Sequence, residues 1–168
     1  DDIAKVEMWT HDKSFHLIKE GPLHNPADRD HCIQYIAAIG LIFGRLTAAD
    51  YEDAAAADPR IDRLRDLTVV TENPQYSRDF VDPAKRSSAN AVQVFFKDGS
   101  RTPKVDVEFL IGDARRRKEA MPLLERKFRN NLAGRFADRR RAEITALLTD
   151  AKRLQATPVN EFMDRLAV

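Results

Sequence analysis

Apolar residues in this chain follow two different periods, and the changes between them predict its elements. Ile3 to Thr10 carries a strand-like pattern through Val6 and Met8. Lys13 to Lys19, with Phe15, Leu17 and Ile18, fits either a short helix or more of the strand, until Gly21-Pro22 breaks it. The next helix has clear start signals: Asn25 to cap, Pro26 at the first helical position, and Asp28 where a capping box wants an acceptor. That helix is predicted to run to Phe43, with Gly44 ending it. Thr47 and Asp50 start a shorter helix, and Asp58-Pro59 a third that runs through Leu64.

Thr68 to Thr71 is short and β-branched and reads as a strand. Glu72 to Asn90 is polar, holds Pro74 and Pro83, and reads as a long loop of the kind that often serves function. Val92, Val94 and Phe96 then alternate, Asp98-Gly99 turns, and Val105, Val107 and Phe109 alternate again, which predicts an antiparallel hairpin with one wet face. From Ala114 to Phe136 the sequence is helical and basic, with Pro122 starting or kinking a helix. Asp138 to Leu154 reads as one long helix striped by Ile144, Leu147, Leu148 and Ala151, and Thr157-Pro158 starts a last short one. The predicted class is α+β: a small antiparallel sheet of three or four strands with packed helices over residues 1–113, then a helical C-terminal segment over 114–168. That segment's stripe needs a partner surface.

Composition narrows the classes. With 43% hydrophobic residues the chain is too apolar for disorder, and a net charge of +1 gives no global field toward nucleic acid or membrane. No apolar run reaches the roughly 18 residues of a membrane helix, and the most apolar one, Ile33 to Phe43, is interrupted by Gln34, Tyr35 and Gly40. No secretory signal opens the chain. It starts Asp1-Asp2, without Met and almost directly on a strand, so the expectation is a piece of a longer or processed protein. Cys32 is the sole cysteine; it fits a reducing cytoplasm and cannot support an iron–sulfur cluster alone. His11, His16, His24 and His31 lack metal-ligand spacing, so no metal and no cofactor are expected.

The candidate chemistry sits between Gly21 and Tyr35. On one continuous helix Asp28, His31 and Tyr35 share a face, Cys32 lies at its edge and Gln34 projects elsewhere. A phenol near an imidazole suits acid–base work, and a helix start suits a carboxylate, with Arg29 and His24 adding charge-assisted bonds. Each residue also has a plain role: Asp28 as cap, His31 as its hydrogen-bond partner, Tyr35 as core. The clusters Arg115 to Lys118 and Arg139 to Arg141 fit a solvated helix face or an interface better than nucleic acid. Acidic residues balance them, and no aromatic platform is interleaved.

The segments GPLHNPADRDHCIQYIAAIGLIFGRLTAADYED, DPRIDRLR, DPAKRSSANAVQVFFKDGSR, GDARRRKEAMPLLERKFRNNLAGRF and TPVNEF resemble, in order, the 2-methylcitrate dehydratases of the MmgE/PrpD family, which also holds a cis-aconitate decarboxylase and an iminodisuccinate epimerase. The resemblance covers nearly the whole chain. It implies a two-part protein: a large helical domain, completed by C-terminal helices, and an inserted α+β lid, with the active site in the cleft between. This chain then corresponds to lid plus C-terminal helices, inactive alone, with a missing N-terminal helical domain as its partner. By position Tyr35 matches the cleft-facing lid tyrosine, the catalytic candidate; Arg29, His31, His24 and Gln34 are candidate contacts to a tricarboxylate substrate, and Arg115 to Arg117 are further carboxylate binders.

Asp113 departs from the family's usual His, Glu20 from a basic residue and Phe162 from a Tyr; the first puts a role for that position in doubt. The implied reaction removes water from 2-methylcitrate in propionate catabolism without an iron–sulfur cluster, in a cytoplasmic homodimer. The alternatives are a related activity such as cis-aconitate decarboxylation, or a non-catalytic interaction or dimerisation module.

Overall fold

The computed structural model describes residues 2–167, and the chain divides into two compact units, Asp1–Leu110 and Ile111–Val168. The first unit is built on a four-stranded sheet in the order β2-β1-β3-β4, with β1 at Ile3–Thr10, β2 at Thr68–Glu72, β3 at Asn90–Phe96 and β4 at Val105–Val107. The fold is α+β, but the sheet is mixed rather than antiparallel. β2 returns after a helical crossover and pairs parallel to β1, with Val6 opposite Thr68 and Thr10 opposite Glu72. A connection of that length, carrying helices, is what a parallel neighbour requires.

Pairing of Val6 with Val94 and Met8 with Val92 puts the apolar alternates of β1 and β3 on one face. That face meets α2 (Ile33–Phe43) and α4 (Pro59–Asp66) in the main core, where Val6, Cys32, Tyr35, Ala38, Ile39, Ile61, Leu64 and Val94 are buried. The opposite face is not simply wet. Tyr76, Ala89 and Ala91 form a second buried cluster with Trp9 against it, and Lys104 Nζ lies 4.2 Å from the centre of the Trp9 ring.

Several elements differ from the sequence expectation for local reasons. The helix predicted from Pro26 to Phe43 is two helices, α1 (Pro26–Asp30) and α2. Cys32 between them is extended and fully buried, so the chain is re-aimed before α2 starts. The stretch after Glu72 is not a continuous loop, because Asn73 caps Gln75 at 2.9 Å and Pro74 opens α5 (Pro74–Val81). Pro74 is therefore a helix starter here and not a breaker. Residues 12–17 form a 3-10 helix, and a short α3 (Asp53–Ala56) precedes α4. β4 ends at Val107, before Phe109.

The second unit holds α6 (Arg117–Ala133), α7 (Asp138–Leu148), α8 (Ala151–Ala156) and α9 (Val159–Leu166). Pro122 lies inside α6. The long helix predicted from Asp138 is divided at Thr149-Asp150, where the Asp150 side chain caps α8 through the Arg153 N–H at 3.0 Å. Arg140 donates to the carbonyls of Asp164, Arg165 and Ala167, satisfying the C-terminal end of α9.

His11, buried just after β1, stacks on Phe80 with ring centroids 4.0 Å apart, and its Nε2 lies 3.0 Å from Ser14 Oγ. Burial holds its imidazole below the ordinary histidine value, with His16 and Lys13 pushing the same way and Asp12 opposing. A histidine depressed in the fold binds a proton more readily in the unfolded chain. Its contribution is thus complete above the unfolded value of about 6.5 and is lost as pH falls below it toward the folded value. Urea midpoints for wild type and His11→Gln should therefore converge as pH drops from about 8 to about 5.5. A constant gap across that range would remove His11 from the pH response.

Candidate functional site

A pocket of about 300 Å³ opens in the first unit, lined by Pro22, Leu23, Arg29, Tyr35, Asp53, Ala56, Ala57, Asp62 and Arg65. The 3-10 helix Ala48–Tyr51 holds two of these side chains in place. Its Asp50 carboxylate is buried and accepts from Thr47 N and Thr47 Oγ1, both at 2.7 Å, and from Arg45 Nη1 at 2.5–2.6 Å. Burial alone would raise this carboxyl, but the hydrogen bonds from Thr47 and the Arg45 charge outweigh it and hold it below the usual carboxylate range. The turn so fixed presents two carbonyls. Tyr35 Oη donates to the Asp50 carbonyl at 2.6 Å, and Arg29 Nη1 donates to the Tyr51 carbonyl at 2.7 Å.

Tyr35 is only 2% exposed, and burial raises its phenol further above neutrality, with Arg29 opposing the rise. Its hydroxyl is therefore a donor at physiological pH and not a base. The Arg29 side chain is 7% exposed and its Nη2 meets Asp53 at 2.7 Å, although Asp53 is itself 87% exposed. Across the pocket Arg65, 9% exposed, donates Nη2 to the Gly21 carbonyl at 2.8 Å and Nη1 to Asp62 at 2.6 Å. Gly21 adopts φ +80°, where an L side chain would be strained, so this turn suits glycine.

Of the residues singled out from sequence, Arg29 and Tyr35 come together on the pocket. His24 is exposed on the approach to α1, and its backbone N–H donates to Asp28 at 3.0 Å. His31 caps the end of α1 exposed and pairs with Asp30 and the Ala27 carbonyl. Gln34 is buried, its Oε1 accepting from Lys19 N at 3.3 Å and Cys32 Sγ at 3.4 Å. The predicted common face of Asp28, His31 and Tyr35 does not exist, because the break at His31-Cys32 puts Tyr35 on a different helix. The start of α1 is likewise no anion site, since it has five residues and Asn25 Oδ1 already takes the Asp28 N–H at 2.9 Å.

Arg65 and Tyr51 lie outside the sequence expectation for the site, and Asp50 enters it only as part of a helix start, which the structure bears out. Arg65 did leave a signal: it stands four residues after Ile61, on the stripe that α4 buries, where a cation needs a partner. The basic clusters of the second unit are largely engaged locally, Arg115 with Asp113, Arg116 with Glu119, Arg139 with Glu143 and Arg141 with Asp138. Among the described residues no group of three or more His, Cys, Asp or Glu is arranged to hold a metal, and no helix is long and apolar enough to cross a membrane.

Asp50→Asn leaves an amide that cannot serve Thr47 and Arg45 together. It should cost about 2–3 kcal/mol of unfolding free energy in urea denaturation. A loss under about 0.5 kcal/mol would mean that the turn is held by something else.

Residues 1–151 match the MmgE/PrpD C-terminal domain. A 2-methylcitrate dehydratase of Cupriavidus necator is 54% identical over 168 residues, covering 99% of this chain and 35% of that protein. Its counterpart in Salmonella typhimurium is 52% identical over 164 residues, 97% of this chain and 34% of that protein. A mitochondrial 2-methylcitrate dehydratase of Yarrowia lipolytica is 47% identical over 139 residues, 82% of this chain and 27% of that protein. The chain thus spans about a third of the length of the bacterial relatives it matches.

Proposed function

This chain belongs to the MmgE/PrpD family, and from that premise we propose that it is the C-terminal part of a 2-methylcitrate dehydratase. Such a lyase removes water from 2-methylcitrate to give 2-methyl-cis-aconitate, here in propionate catabolism. The observation that carries the reading is the 54% identity extending over 99% of the chain. The remaining two thirds of the relatives' length would supply the other wall of the site. The first unit serves as the lid over it. Exposed apolar residues of the second unit, Met121, Leu124, Val159 and Met163 among them, suit burial against that remainder or a second copy in a homodimer. The single buried cysteine fits a cytoplasmic protein.

Dehydration needs a base for the proton beside a carboxylate, an acid for the departing hydroxyl, and cations that hold the carboxylates. In this reading Arg29, buried with a fixed guanidinium, binds one carboxylate. Tyr35 is the donor: its phenol is protonated and exchanges the Asp50 carbonyl for a substrate oxygen. His24 and His31 contact substrate from the exposed side. Gln34, whose amide oxygen is occupied by Lys19 and Cys32, acts by holding the start of α2 in place. The base comes from the rest of the protein.

The test is an assay of the longer enzyme that follows the ultraviolet absorbance of the unsaturated product, with 2-methylcitrate and citrate as alternative substrates. Tyr35→Phe is expected to lower kcat/KM about 100-fold, with a thermal melt as control for the lost buried hydrogen bond. Unchanged kcat and kcat/KM would remove Tyr35 from the mechanism. Absence of dehydration by the wild type would remove the activity itself.

A further inference from the structure

Arg65 faces the same pocket as Arg29 and has no part in the scheme above. Both side chains are more than nine-tenths buried, a costly place for a charge unless it is fully paired. Their pairing is incomplete in a particular way. Each gives one N–H to a backbone carbonyl, Tyr51 for Arg29 and Gly21 for Arg65, which fixes the plane of the group. Each gives another to an aspartate that is mostly in water, Asp53 at 87% exposure and Asp62 at 69%. Such half-solvated pairs hold their partners weakly. Arg65 Nε in addition is buried with no hydrogen-bond partner at all. A charged donor left so is destabilising until an acceptor reaches it.

We propose that Arg65 is a second carboxylate-binding residue of this pocket, acting with Arg29 on a small di- or tricarboxylate. A carboxylate set side-on to a guanidinium takes Nε and a neighbouring Nη together. At Arg65 that fork uses the orphaned Nε with Nη2, whose second N–H keeps the Gly21 carbonyl, and the added negative charge competes with Asp62, which is held on Nη1 and already faces solvent. Arg29 takes a second carboxylate in place of Asp53. Leu23, Ala56 and Ala57 supply an apolar lining that strengthens both contacts. A volume of about 300 Å³ lies at the small end of ligand pockets and suits a compact polycarboxylate. The dehydratase reading supplies the identity of the polycarboxylate, while the pocket stands on its own geometry.

The experiment uses the full-length protein and tricarballylate, a tricarboxylate with no hydroxyl to lose, measured by calorimetry. Arg65→Lys keeps the charge and loses the fork; it is expected to weaken binding about tenfold with the circular dichroism spectrum unchanged. Asp62→Asn removes the internal competitor and is expected to bind tricarballylate as tightly as wild type or more so. A purely structural Arg65–Asp62 pair predicts the opposite, both variants weakened alike, and that result overturns the proposal. So does unchanged binding by Arg65→Lys, or inorganic phosphate binding as tightly as tricarballylate. Turnover separates the two readings. Arg65-dependent binding without dehydration of 2-methylcitrate rejects the activity and keeps the pocket; dehydration with binding indifferent to Arg65 does the reverse.

Discussion

The candidate site depends on one buried carboxylate. Asp50 is held by Thr47 and Arg45, and this closes the short turn from residue 48 to 51. The carbonyls of Asp50 and Tyr51 then point at Tyr35 and Arg29. A buried carboxylate without its donors would repel those carbonyl dipoles and take up a proton instead. With them it becomes an anchor. Everything polar in the pocket is positioned through it or through the matching contact of Arg65 with the Gly21 carbonyl.

The sheet provides the rigid base for this arrangement. β1 is one of its two inner strands, paired parallel on one side and antiparallel on the other. Its core face carries α2 and α4, which bring Tyr35 and Arg65 to the same pocket. The crossover between β1 and β2 contains every residue that lines the pocket. The candidate site of this unit thus lies in one connection, which is where binding residues tend to lie when the strands beneath are fixed by burial.

Much of this was legible from residue order. Strand β1, the hairpin strand β3, the Asn25 cap, the Gly44 stop and the Asp58-Pro59 start are local signals, and each rests on interactions within a few residues. The errors share a cause. Local propensity reads Pro74 as a breaker and Cys32 as mid-helix. At Pro74 the cap from Asn73 outweighs the breaker reading. At Cys32 complete burial of the side chain favours a break in an otherwise good helix.

The sequence by itself determined the α+β class and the family, and singled out the segment from Gly21 to Tyr35 as a candidate, because these rest on local patterns and on an ordered series of motifs. Only the tertiary structure decided that β2 runs parallel to β1, that His31 and Tyr35 stand on separate helices, and that Arg65 joins Arg29. Arg65 and Gly21 are 44 residues apart, and Tyr35 and Asp50 are 15. Contacts at such separations are set by how the helices pack on the sheet, and no local period encodes them.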